Sequence, residues 1–227
     1  VVGTNSSQTF YINGSQVGSS INEGSGGNTH WGLGNNDIVA QPWGHIANMY
    51  FYNRQLSLSE ITQQYNYLAP RFVEPTPTPT VTPTSSVTPT PTITPTVTTS
   101  SAIQPVSNSY FYYDPGNASS YVSGTTLYDL SGWGNNGTMY NSPTFSSADG
   151  GGSFNFNGSN QYIQANINST LLDGDPNFTI EFFVKRTATL AATTAAYWGM
   201  GSSGQGLAVQ GWTPTDNRIH MDLWDSS

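Results

Sequence analysis

The stretch YFYNRQLSLSEITQQYNYL, residues 50–68, decides how this chain is read. Running into it, IANMYFY (46–52) sets Ala47, Met49 and Phe51 against Ile46, Asn48, Tyr50 and Tyr52. That two-residue period of large β-formers predicts a strand. The period then changes. Ser57-Leu58-Ser59-Glu60 is a capping box: the Ser57 hydroxyl can accept from the Glu60 N–H while the Glu60 carboxylate reaches back to the N–H of Ser57. Ile61, Tyr65 and Leu68 follow at helical spacing, and Pro70 stops the run. A strand handing over to a short capped helix reads as the end of a β domain, yet it lies in the first third of the 227 residues.

Outward from this stretch, strands and turns dominate. TFYINGSQV (9–17) predicts a hairpin on a type I′ Asn13-Gly14 turn, and GLGNND (32–37) is turn-rich. Further on come SYFYYD (109–114), TTLYDLSG (125–132) and WGNNGTMYN (133–141). SFNFNGSNQYIQANI (153–167) reads as two alternating strands around another Asn-Gly turn. FTIEFFVKR (178–186) puts Phe178, Ile180, Phe182 and Val184 on one face, and RIHMDLW (218–224) alternates again. The expected class is all-β.

Charged residues make up only 8% of the chain, but aromatics reach 13%, which is ample for a core. The net charge is −8 with five Lys and Arg, too few to assemble a phosphate-neutralising patch, so nucleic acid is not an expected partner. No apolar run approaches the roughly 20 residues of a membrane span. The absence of cysteine excludes disulfides and thiolate metal sites. Val1 is not a natural start, so a processed or cut N-terminus is expected.

The sharpest compositional break is PTPTPTVTPTSSVTPTPTITPTVTT, residues 75–99. Proline fixes φ and lacks an N–H, so the tract predicts extended polyproline II, with a reach of about 95 Å over residues 75–105. Thr and Ser alternating with Pro is also the composition of O-glycosylated stalks. The candidate acceptors are Thr76, Thr78, Thr80, Thr82, Thr84, Thr88, Thr90, Thr92, Thr94 and Thr96. Asn-x-Ser/Thr sequons at Asn5, Asn13, Asn117, Asn136, Asn157, Asn168 and Asn177 are weaker signals, because some serve turns.

DLSGWGNNGTMYNSPTF (129–145), FNFNGSNQYIQ (154–164) and FTIEFFVK (178–185) together resemble the first half of a laminin-G-like domain of the concanavalin A-like lectin/glucanase superfamily. TFYINGSQVG (9–18), GLGNND (32–37) and GHIANMYFYNRQLSLSEI (44–61) resemble its second half. The resemblance implies a jelly-roll antiparallel β-sandwich, divided as residues 1–70 (closing half), 71–108 (linker) and 109–227 (opening half). The halves stand in reversed order. A further strand that the family carries between its equivalents of 218–224 and 8–12 is not found in either half. Three arrangements follow: a tandem array in which neighbouring repeats complete each half, strand exchange between copies, or one permuted domain closing on itself. The tandem array is the favoured expectation.

Enzymatic chemistry is not expected. Glycosidases need two carboxylates flanking the scissile bond, and the Glu-x-Asp-x-x-Glu pattern of the superfamily's lytic members is missing. Glu60 is committed to capping, Glu74 lies at the linker, and Glu181 reads as a solvent-facing strand residue beside Lys185. Related domains often bind calcium through loop carboxylates. Here Asp173, Asp175 and Asp129 are the candidates, with Asp114 a further contributor, against the plainer reading of Asp173-Gly174-Asp175-Pro176 as a turn. Glycans are recognised by exposed aromatics, and Trp43, Trp133 and Trp212 stand beside Gly or Pro in loop-like surroundings, although burial in an aromatic-rich sandwich core is the favoured reading of each. The resulting expectation is a non-catalytic, extracellular structural or adhesive protein of sandwiches on Thr/Pro stalks, its partners being copies or neighbouring repeats and glycans. The alternative is a carbohydrate-binding module of a secreted glycosidase.

Overall fold

The computed structural model describes residues 1–4, 7–21, 30–33, 43–72, 106–166, 177–185, 195–202, 205–211 and 219–225. The N-terminal segment supplies β1 (Val2–Gly3), β2 (Gln8–Ile12), β3 (Ser15–Ile21), β4 (His30–Leu33), β5 (Trp43–Tyr52), α1 (Leu58–Leu68) and a 3-10 turn at Ala69–Arg71. The C-terminal segment supplies β6 (Phe111–Tyr113), β7 (Thr126–Leu127), β8 (Gly137–Tyr140), β9 (Thr144–Ser146), β10 (Ser153–Asn157) and β11 (Tyr162–Asn166). It continues with β12 (Phe178–Lys185), β13 (Ala195–Ser202), β14 (Gln205–Gly211) and β15 (Ile219–Asp225). The Thr/Pro tract, with all ten candidate threonines, lies outside the described residues.

Two antiparallel sheets form. One runs β3-β2-β1-β12-β5-β10-β9, with β6 also on β5; the other runs β15-β14-β13-β4-β11-β8-β7. In the first, β5 is flanked by β12 on one side and by β10 and β6 on the other. In the second, β4 sits between β11 and β13. Each sheet therefore threads an N-terminal strand between C-terminal ones, and the two segments complete one another within a single chain. Completion by neighbouring repeats, the favoured expectation, is not the arrangement seen. Phe72 and Val106, the described residues that flank the tract in sequence, both pack in the layer beneath α1.

The sheets share one core. Ile46, Met49, Phe51, Phe111, Phe154, Phe156, Phe178 and Ile180 of the first meet Leu127, Met139, Ile163 and Ala165 of the second. Each fully buried large side chain contributes about 1.5–3 kcal/mol. Strict alternation in β5 breaks at a bulge, where the register with β12 shifts between Phe182 and Val184. The extra residue lets Ile46, Met49 and Phe51 all face the core while Tyr50 and Tyr52 face the opposite side.

On that opposite side α1 covers the sheet, burying Leu68 and Gln64 with Tyr50, Tyr52, Leu56 and Val106. The capping box forms: Ser57 N donates to Glu60 Oε2 at 2.9 Å and Glu60 N to Ser57 Oγ at 3.3 Å. Arg54 grips the same carboxylate at 2.8 and 3.1 Å. Arg54 and the cap together hold the Glu60 carboxyl down at about 2. Asn13 (φ 51) and Gly14 (φ 75) make the expected left-handed turn between β2 and β3. The Asn157-Gly158 turn does not make a hairpin. Its strands β10 and β11 enter different sheets, β10 beside β5 and β11 beside β4, and the Asn157 side chain accepts from Ser159 N at 3.0 Å in the turn between them.

Glu181 departs from its solvent-facing expectation. It lies opposite Tyr50 in register, while Lys185 instead pairs with Asp149 at 2.7 Å. Because a layer covers this face, burial pushes the Glu181 carboxyl up to about 8 from an ordinary value near 4.5. Below that ordinary value it is neutral in both states. As pH rises toward 8, the unfolded chain gives up the proton first, so the contribution of Glu181 to stability falls through that window, while the buried Val1 ammonium, lowered to about 6, works in the opposite sense above pH 6. Glu181→Gln is expected to flatten this fall and to melt above the parent protein at pH 8, as measured by thermal unfolding from pH 5 to 8. Parallel pH profiles for the two proteins would refute this.

Candidate functional site

The loop after β7 carries Trp133 between Gly132 (φ 91) and Gly134 (φ 76), whose left-handed conformations favour glycine. Asp129 organises that loop. Its Oδ1 accepts from Tyr112 N and Ser131 N, each at 2.9 Å, and its Oδ2 accepts from Ser131 Oγ at 2.7 Å and Asn135 N at 3.0 Å. Asn135 Nδ2 donates to Tyr110 O at 2.9 Å, Asn136 Oδ1 accepts from Asp129 N at 2.9 Å, and the Tyr113 hydroxyl bonds Asn135 O. The loop is thus fastened from Tyr110, Tyr112 and Tyr113, and Trp133 stands out from it, 66% exposed. Its indole lies against the Tyr110 ring, with centroids 5.4 Å apart and planes tilted by 31°.

Beside this pair opens a cleft of about 370 Å³, near the lower end of the usual ligand-pocket range. Tyr50 and Tyr112 line it, stacked at 4.1 Å, with Val106 and Leu130. The remaining lining is Asn53, Ser107, Asn108, Ser109, Tyr110, Ser131 and Trp133, so no charged side chain enters it. Burial pushes the Tyr112 phenol up to about 12, so this part of the wall stays neutral. The arrangement is an aromatic platform at the mouth of a cleft edged with amides and hydroxyls.

Of the sequence-proposed residues, Trp133 is brought to this cleft. Trp43 is the first residue of β5 rather than a loop residue. Its side chain, and all of Trp212, Asp173 and Asp175, lie outside the described residues. Calcium does not fit the carboxylates that are described. Both oxygens of Asp129 are taken by N–H and O–H donors, and Asp114 is held by Arg71 at 2.8 and 3.0 Å. Among the described residues no three acidic or histidine side chains cluster to hold a metal. Several sequon asparagines have turn roles: Asn117 Oδ1 accepts from Ser119 N at 2.9 Å, and Asn136 and Asn157 act as described above.

Sequence reasoning missed Tyr110, Tyr112, Asn53 and residues 106–109. Gly-Trp-Gly is a local signal, but the cleft joins residues from both sides of the Thr/Pro tract, and no spacing reports that. Among the described residues no helix is long and apolar enough to cross a membrane. Comparison with family models, curated proteins and solved structures gives no match to this chain.

Proposed function

We propose that this chain is a non-catalytic, extracellular adhesive or structural protein that attaches to glycans through the Trp133 cleft. Its fold is read as a laminin-G-like jelly roll of the concanavalin A-like superfamily, its opening and closing halves exchanged in order around an O-glycosylated Thr/Pro stalk. The observation that carries the proposal is Trp133 itself. An indole 66% exposed, framed by two left-handed glycines and fastened from below, has little to do with holding a core. Its electron-rich face suits the polarised C–H groups of a sugar ring.

The state of the carboxylates supports the non-catalytic part. Glu60, Asp114 and Asp149 are ion-paired and Asp129 is saturated by donors, which leaves no free pair to flank a glycosidic bond among the described side chains. A carbohydrate-binding module serving a secreted glycosidase uses the same cleft and is the second reading. A glycan array probed with the intact chain tests both. Binding to surface glycans supports adhesion, and binding to cell-wall polysaccharide favours the module. A blank array sinks glycan attachment in either form.

A further inference from the structure

Resting on that glycan reading, we infer that the cleft selects uncharged sugars and reads their hydroxyls with the Asn53 and Asn108 amides and the Ser109 hydroxyl, beneath the Trp133–Tyr110 platform. Three observations converge on this. The first is electrostatic. No charged side chain lines the cleft, and the chain carries a net charge of −8. The described side chains of Arg54, Arg71 and Lys185 are each paired with a carboxylate, and none of them lines the cleft to meet a uronate or sulfate. A carboxylate or sulfate ester entering here would lose its hydration without gaining a cationic partner, whereas neutral hydroxyls lose less and can still be hydrogen-bonded.

The second observation is hydrogen-bonding capacity held in reserve. Ser109 is only 7% exposed, yet its hydroxyl makes no hydrogen bond among the described residues and is not among the fully enclosed unpartnered atoms. Its remaining accessible surface therefore belongs with the cleft it lines. Asn53 and Asn108, both exposed at the mouth of the cleft, also spend no amide on the protein, so their donors and acceptors face the solvent that a ligand would displace. An amide offers a donor and an acceptor side by side, which matches two neighbouring sugar hydroxyls.

The third is backbone geometry. Asn108 sits at φ 64, a left-handed conformation that glycine would adopt more easily, with no side-chain hydrogen bond in return. A ligand contact gives the asparagine side chain a use.

The test is titration calorimetry on the intact chain. One panel holds neutral oligosaccharides (cello-, xylo-, manno- and chito-oligomers), and the other holds heparin and polygalacturonate, each at low and high salt. Neutral binding that barely changes with salt is the expected result. Asn108→Gly suits φ 64, and Ser109→Ala removes a hydroxyl that bonds nothing in the protein, so neither should lower the melting temperature. Each, like Asn53→Ala, is expected to weaken the best neutral ligand by roughly 3- to 10-fold, the worth of one hydrogen bond. Preference for the acidic polymers, falling steeply with salt, overturns the inference while leaving glycan binding intact. Unchanged affinity in all three variants overturns it too. Failure of both panels removes the glycan reading on which it stands.

Discussion

Arg71→Ala is expected to lower the unfolding free energy by about 2 kcal/mol, below the range for breaking a fully buried ion pair because the Arg71 side chain is 28% exposed while its carboxylate partner is buried. Arg71 is the last residue of the 3-10 turn that follows α1, and all three of its guanidinium nitrogens donate. Nη1 and Nη2 fork onto Asp114 at 2.8 and 3.0 Å, while Nε and Nη2 donate to Gly150 O at 3.0 and 2.7 Å. The Asp114 side chain is only 8% exposed, so removing the cation leaves its carboxylate buried. Gly116 N and the Tyr112 hydroxyl still donate to that carboxylate, which limits the loss. The surrounding backbone is shaped to this clamp: a Cβ on Gly116 would sit 2.6 Å from Arg71 Nη2. Lysine cannot reproduce a fork that binds a carboxylate and a carbonyl at once, so Arg71→Lys should recover only part of the loss. Urea unfolding measures both. A loss below about 0.5 kcal/mol in the alanine variant, the range of ordinary surface changes, would mean that this contact does not couple the two segments.

Trp133→Ala is expected to cost at least 30-fold in glycan affinity, the scale of a central tryptophan in a binding surface, with stability unchanged within about 0.5 kcal/mol. The separation of the two effects follows from the loop. Asp129, Asn135 and Asn136 hold it through their own hydrogen bonds, so the indole can be removed without releasing it. Trp133→Phe retains a smaller ring face and should fall between the two. Calorimetry beside thermal melts reads the pair of outcomes. A variant that loses stability and affinity together would place Trp133 in the core account rather than in recognition.

Much of the local structure was legible from residues alone because short-range chemistry enforces it. The capping box at Ser57 and Glu60 is closed by atoms three residues apart, and the left-handed Asn13-Gly14 turn needs only residues that tolerate positive φ. The strands, the α1 helix and the all-β character follow from periods read within a dozen residues. Where the reading failed, a distant partner had intervened. Glu181 has an exposed strand pattern, but α1 covers that face, and Lys185 finds Asp149 instead. The Asn157-Gly158 turn has a hairpin signature, but its two strands are claimed by different sheets, one beside β5 and the other beside β4.

The sequence by itself thus determined most of the strands, the capped helix, the Thr/Pro break and the Gly-Trp-Gly loop, because each rests on backbone torsions and periodicity; the exposure of Trp133 and the short strands β1, β4 and β9 came only with the tertiary structure. The tertiary structure alone decided that the two segments close on one another, that Arg71 meets Asp114, and that Asn53 and Asn108 share one cleft with Trp133. The physical reason is that strand pairing and ion pairing join groups by distance in space. Residues 53 and 133 are brought together only once β5 has been threaded between strands encoded beyond the Thr/Pro tract.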